Sequence, residues 1–256
     1  MTFDTETIAF LVVLGVAVGA LGTLVGAGGG FLLAPILLLV YPHDNPQTLT
    51  SISLAAVFAN SVSGSVAYLR QRRVDIRNGL IFGACGVPGA VIGAIAVGHV
   101  PRRAFDVSMA ATLGAVAIWL AANRGRRAPA QDGSVPVARG AAFSVVVGFV
   151  SSFLGIGGGV FHVPILVMAL GYPTHTATAT SHFVLALMSG SAVATHAVQG
   201  VYHVGHGLRR ALVLATSLAV GAQLGARVSV RVPALAIERL LAVALAVVAV
   251  RLAVAI

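Results

Sequence analysis

The chain has 256 residues, of which 58% are hydrophobic and only 9% charged, and its formal net charge is +9. Soluble domains carry about 25% charged residues, so this composition, with a mean hydropathy of +0.97, excludes a water-soluble fold and points to an all-α polytopic membrane protein. All 16 basic residues are Arg and fall between apolar runs, where they set topology rather than bind nucleic acid.

The first run, Ile8–Leu24, follows Asp4 and Glu6 rather than a basic segment, so it reads as a membrane helix and not as a cleavable signal. Phe31–Val40 comes next, with 10 residues, well short of the ~20 that a straight crossing needs. Leu49–Leu69, Leu80–Gly98 and Phe105–Ala122 complete the first set. Residues 123–139 form the only long polar stretch, an exposed linker between a membrane unit at 1–122 and another at 140–256. The second unit repeats the order: Ala141–Leu154, the 11-residue Val160–Leu170, Ala177–Val198, Ala211–Ala226 and Leu235–Val254. The four Tyr and Trp119 stand at segment ends, at headgroup level. Cys85 is the single Cys, which excludes an intrachain disulfide and a Cys-cluster metal site.

The two units share a motif. Gly26-Ala-Gly-Gly-Gly-Phe-Leu-Leu-Ala-Pro-Ile-Leu37 recurs 129 residues later as Gly155-Ile-Gly-Gly-Gly-Val-Phe-His-Val-Pro-Ile-Leu166, identical at seven of twelve positions. Tyr41-Pro42 matches Tyr172-Pro173, Thr50-Ser51 matches Thr180-Ser181, and Pro101 matches Pro233. These matches predict two homologous repeats, each with four or five membrane segments including one short broken or re-entrant helix. Paired, short, Gly/Pro-interrupted segments point to the central site of a transporter; the plainer alternative is close helix packing through small residues.

Orientation stays open at this level. Counted as crossings, the short segments give five per half and inverted repeats; counted as re-entrant, four per half and parallel repeats. Either way 11 Arg fall on the linker's side and 5 on the other, so the Arg bias places the linker in the cytoplasm without choosing. Inversion is favoured, since transporters commonly use it.

No Asp or Glu stands mid-span, whereas a metal-cation or amine carrier normally wants a buried carboxylate. An anion instead suits the free N–H groups and partial positive charge of a helix N-terminus. Gly28, Gly29 and Gly30 open one short segment and Gly157, Gly158 and Gly159 open the other, with no Cβ to obstruct approach. Thr50, Ser51, Thr180 and Ser181 can add hydroxyls, or instead cap their helices or bond back to a carbonyl one turn earlier. His162, His175 and His182 can donate to an anion or shuttle a proton; as interior side chains they would only pack. No nucleotide motif is present. Ser181 and His182 are neighbours about 100° apart on a helix and make no nucleophile–base pair, so an enzyme is not expected.

These stretches resemble the sulfite exporter TauE/SafE family of membrane transporters, over nearly the whole chain. The most specific are Gly26–Pro35, Gly155–Pro164 and His175-x-Ala177-x-Ala179-Thr180-Ser181. In the first half, Pro46-Gln-Thr-Leu-Thr50-Ser51 keeps Thr-Ser but lacks the His and Ala pattern. The resemblance implies export or permeation of small sulfur-containing anions such as sulfite, thiosulfate or organosulfonates across the cell membrane, with no cofactor and no metal. A passive anion channel is the alternative. The lipid bilayer is the other expected partner, nucleic acid is not, and a homo-oligomer is left open.

Overall fold

The computed structural model describes residues 5–123, 137–203 and 207–255. Among them no strand occurs, and the helices are α1 (Thr5–Val25), α2 (Gly30–Val40), α3 (Pro46–Arg70), α4 (Ile76–Ala96), α5 (Arg102–Ala122), α6 (Val137–Phe153), α7 (Gly159–Pro164), α8 (Thr174–Val198), α9 (Gly207–Ser229) and α10 (Ala234–Ala255). Most of the expected linker, 124–136, lies outside the described residues, and α6 already begins at Val137, within the stretch read as linker. Among the described residues, six helices are long and apolar enough to cross a membrane: α1, α3, α4 with its 3-10 extension to His99, α5, α8 and α9. Gly30–Val40, Val137–Phe153 and Gly159–Ala169 are shorter apolar helices. The chain is a multi-pass membrane protein.

Local chemistry sets the helix starts. Asn45 caps α3, its side chain accepting from the Gln47 N–H, with Pro46 at the first helical position, where a missing N–H costs nothing. Asp75 caps α4 by accepting from the Asn78 N–H at 3.1 Å. Pro164 stands in α7, which continues as a π-helical turn over Ile165–Ala169, closed by Leu170 N–H on the Ile165 carbonyl.

Contacts give the helix directions. α1 runs alongside α9 in the same sense, since Gly15 faces Ser217 and Gly225 faces Ala20. α3 follows α9 too: Asn60 bonds the Leu218 carbonyl and Gln71 the Ala226 carbonyl. α4 runs with α6, Gly89 against Val145 and Gly93 against Phe149, and with α8, Gly79 against Phe183 and Gly86 against Met188. α3 and α8 are antiparallel, because Gly64 meets His182 while Gly190 meets Phe58. The start of α5 lies where α2 ends and α3 begins, Arg102 bonding the Leu38 and Asp44 carbonyls. Thus α1, α3 and α9 point one way and α4, α6 and α8 the other.

The most extensive helix pairings are α1 with α9, α4 with α6, α3 with α8 and α9, α4 with α8, and α5 with α10. Exchanging each of the first five helices with the helix five places later leaves these pairings unchanged. Close approach rests on small residues: a Cβ at Gly89 or Gly93 would run into an α6 carbonyl, and one at Gly221 or Gly225 into an α1 carbonyl. Arg70, Arg72, Arg73, Arg77, Arg227 and Arg231 share one face, as the contact of Arg73 with Ser229 requires.

Candidate functional site

α1 ends at Val25, and the chain then reverses through glycines. Gly26, Gly28 and Gly29 have φ of 80°, 72° and 81°, a left-handed conformation that costs a side-chain-bearing residue about 1–2 kcal/mol. Ala27 and Gly28 donate to the Gly22 carbonyl at 2.8 and 3.1 Å, and Gly26 to Thr23 at 3.0 Å. After α6 the same turn recurs. Gly155, Gly157 and Gly158 have φ of 72°, 81° and 87°, while Ile156 and Gly157 donate to Ser151 and Gly155 to Ser152. The expected breaks are present in both places.

Among the described residues, the N–H groups of Gly29, Gly30 and Phe31 have no intramolecular partner, nor do those of Gly158, Gly159 and Val160. These are the open donors of a helix start. The two turns meet. A Cβ at Gly30 would come within 2.7 Å of the Ile156 carbonyl oxygen, and one at Gly159 within 2.5 Å of the Ala27 Cα. Their meeting point lies beside the middles of α3 and α8. Val57 and Leu185 fill the space over it, a Gly28 Cβ falling 2.7 Å from Leu185 and 3.1 Å from Val57.

Each turn is held by a helix from the other half of the chain. Ser53 Oγ on α3 donates to the Gly155 carbonyl at 2.7 Å, and Ser181 Oγ on α8 donates to the Gly26 carbonyl at 3.1 Å. Gly155 packs on Thr50, and Gly26 on Thr178. In space, therefore, Ser181 corresponds to Ser53 and Thr178 to Thr50. The pairing of Thr50-Ser51 with Thr180-Ser181 in the sequence lies two residues out of this register.

Of the four expected hydroxyls, Ser181 alone reaches a glycine turn. Thr50 and Ser51 bond back to the Gln47 and Thr48 carbonyls at 3.0 and 2.8 Å, and Thr180 Oγ1 accepts from the Asp75 N–H at 3.0 Å. His182 and His162 are buried, their Nε2 atoms 3.4 Å from Thr23 Oγ1 and 3.1 Å from Ser144 Oγ. His175 sits apart, in the first turn of α8 on the Arg-rich face beside Arg73.

Sequence reasoning missed Ser53, Val57, Leu185, Thr23, Asn60 and Ser61. Asn60 Nδ2 ties α1 and α9 to α3 through the Gly19 and Leu218 carbonyls at 3.1 and 3.0 Å. A polar residue mid-span was the available signal for it.

Beyond the turns, each short helix ends in a Tyr at one face of the bundle. Tyr41 lies under the Arg210 guanidinium, 3.9 Å from ring centroid to Cζ, and Arg210 pairs with Asp44 at 2.5 Å. Tyr172 Oη donates to Asp75 at 2.7 Å and accepts from Asn78 Nδ2 at 2.9 Å. An apolar cleft of about 310 Å³ between α5 and α7, lined by Trp119, Val160, Phe161 and Ile165 among others, opens beside the second turn. No group of three or more metal-ligating side chains occurs among the described residues.

The family model for sulfite exporter TauE/SafE matches residues 11–252. A probable membrane transporter protein of Bacillus subtilis is 30% identical over 213 residues, which cover 74% of this chain and 78% of that one. One of Methanocaldococcus jannaschii is 27% identical over 234 residues, 87% of this chain and 86% of its own. A third, of Xylella fastidiosa, is 33% identical over 171 residues, 63% of each. No solved structure matches the chain.

Proposed function

This chain belongs to the sulfite exporter TauE/SafE family of membrane transporters, and from that membership we propose that it carries a small sulfur-containing anion, such as sulfite, thiosulfate or an organosulfonate, between its two glycine turns. One observation carries the reading: two left-handed turns from distant parts of the chain meet mid-bundle with their helix-start N–H groups unpaired. Such N–H groups and the dipoles behind them attract negative charge. A membrane interior strengthens that attraction, since water does not screen it.

Gly28, Gly29, Gly30, Gly157, Gly158 and Gly159 supply the backbone donors. Ser181 and Ser53 fix the carbonyl side of each turn. Thr50, Ser51 and Thr180 position the helices around the site, and His175 lines the approach on the Arg-rich face, which the positive-inside rule assigns to the cytoplasm. The opposed helix directions of the two halves support inverted repeats, in which one half rocks against the other. Because the turns touch and Val57 and Leu185 cover them, a carrier with alternating access is favoured over a passive channel.

The test is a thermal-shift screen of purified protein against sulfite, thiosulfate, sulfate, sulfoacetate, taurine and a cation control. One or more sulfur anions should raise Tm; a flat screen refutes the reading. Gly29→Val and Gly158→Val should abolish transport with insertion intact. A Cβ at Gly29 would lie 2.9 Å from the Val18 carbonyl oxygen and one at Gly158 3.0 Å from Ser151 Oγ, each at a φ that disfavours any side chain.

A further inference from the structure

His182 is fully buried, and its hydrogen bonding fixes where its proton sits. Thr23 Oγ1 donates its single proton to Asn60 Oδ1 at 3.0 Å, so towards His182 Nε2, 3.4 Å away, it can only accept. Nε2 therefore carries the hydrogen, and Nδ1 is a bare lone pair with no partner. The Gly26 and Asn60 backbone carbonyls lie alongside the ring. Gly26 opens the first glycine turn, and Ser181, the neighbour of His182, already holds its carbonyl. Ser61 Oγ, also fully buried and without a partner, faces Gly28, 3.3 Å from where a Cβ would stand.

The titratable groups brought by the surrounding elements leave the ring uncompensated. Tyr68 on α3 meets it edge-on at 5.8 Å, and Arg73 stands over the Tyr68 ring. Asp75 and Arg77 lie at the α3–α4 corner, and His162 on α7 is turned to Ser144. Among the described residues none is hydrogen-bonded or ion-paired to the ring. A proton added at Nδ1 would find neither a hydrogen-bond partner nor a counter-charge among the described residues. A buried, unpaired cation is strongly disfavoured, and an anion on the N–H groups of Gly29, Gly30 and Phe31 would supply the missing charge.

We propose that His182 is a proton-binding site coupled to the anion site: each anion carried brings one proton onto Nδ1, the unpartnered ring nitrogen. The inference rests on the anion reading above and adds the co-transported ion. The only bond change is a proton transfer: an Nδ1–H bond forms on loading, with the proton taken from the solution on that side, and breaks on release, with the proton returned to the solution on the other.

The test uses the purified full chain in liposomes with 35S-thiosulfate, which does not titrate near neutral pH, at zero membrane potential. With one proton per anion, a pH step of one unit should change steady-state accumulation about tenfold in the wild type. His182→Gln should still exchange thiosulfate in counterflow while its accumulation ignores the pH step. A variant that follows the pH step like the wild type overturns the proposal, as does a wild type that exchanges thiosulfate but ignores pH. A wild type that exchanges no thiosulfate overturns the anion reading for this probe and the coupling with it. Should His182→Gln lose exchange altogether, Thr23→Val decides: the imidazole stays, its Nε2 acceptor goes, and the pH profile of exchange must move, whereas an unchanged profile refutes the coupling.

Discussion

Ser53 and Ser181 each give one hydroxyl hydrogen to a carbonyl of a glycine turn that belongs to the other half of the chain. That bond fixes the turn, and hence the aim of its free N–H groups, without touching the proposed anion. A buried hydrogen bond of this kind is worth about 1 kcal/mol, so Ser53→Ala and Ser181→Ala should each weaken thiosulfate binding roughly fivefold, measured by titration calorimetry. Equal affinity in both variants would mean that the turns hold their shape unaided. Ser181 was legible in the sequence because it sits in a distinctive motif. Ser53 was not, because the repeated Thr-Ser dipeptide anchored the alignment two residues away from the spatial register. Which hydroxyl on a helix reaches a turn depends on how that helix is rotated against its neighbours, and tertiary packing sets this. The hydroxyls of Thr50 and Ser51 went to the carbonyls one turn back, the local competitor such residues always have.

At the scale of elements, the short helices were the most legible feature. A ten- or eleven-residue apolar run between Gly-Gly-Gly and Tyr-Pro has too few residues to cross the membrane, and the glycines can take the left-handed backbone that reverses the chain. The π-turn after Pro164 was not legible, since Pro35 stands at the matching place in an uninterrupted α2. Nor was the seat of Tyr172, which anchors the end of that π-turn segment to the start of α4 through Asp75 and Asn78. Burial pushes the Asp75 carboxyl up, but donation from Tyr172 and from the Asn78 N–H and side chain, with the charge of Arg77, outweighs it. The net shift is downward from the ordinary 3.8. A carboxyl depressed by folding stabilises the fold fully above its unfolded pKa and loses that contribution as pH falls through the folded value. Thermal stability in detergent should therefore be flat from neutral pH down to about 3.8 on account of this group and fall below it. Tyr172→Phe removes one donor, raises the Asp75 pKa towards the unfolded value and so shrinks that acid limb. An unchanged limb would show that the Tyr172–Asp75 bond contributes nothing to stability.

Across the whole molecule, the exchange pattern of the helix pairings makes Val57 and Leu185 counterparts, one from each half, over one shared meeting point. The sequence shows both only as apolar residues of spanning runs, with nothing to mark them as covers. That role exists only once α3 and α8 lie antiparallel across the turns. If access alternates by rocking one half against the other, these side chains must part on opposite strokes, and shortening them should loosen the barrier. Leu185→Ala should cost about 2–5 kcal/mol of stability as a large-to-small core change. Val57→Ala removes less. Because both side chains touch Gly28, their effects should not add. The double variant is expected to release 35S-thiosulfate from loaded liposomes several-fold faster than either single variant or the wild type. If the double variant stays as tight as the wild type, the barrier lies elsewhere, at the Tyr41–Arg210 or Tyr172–Asp75 faces, and the glycine turns are then scaffold rather than gate.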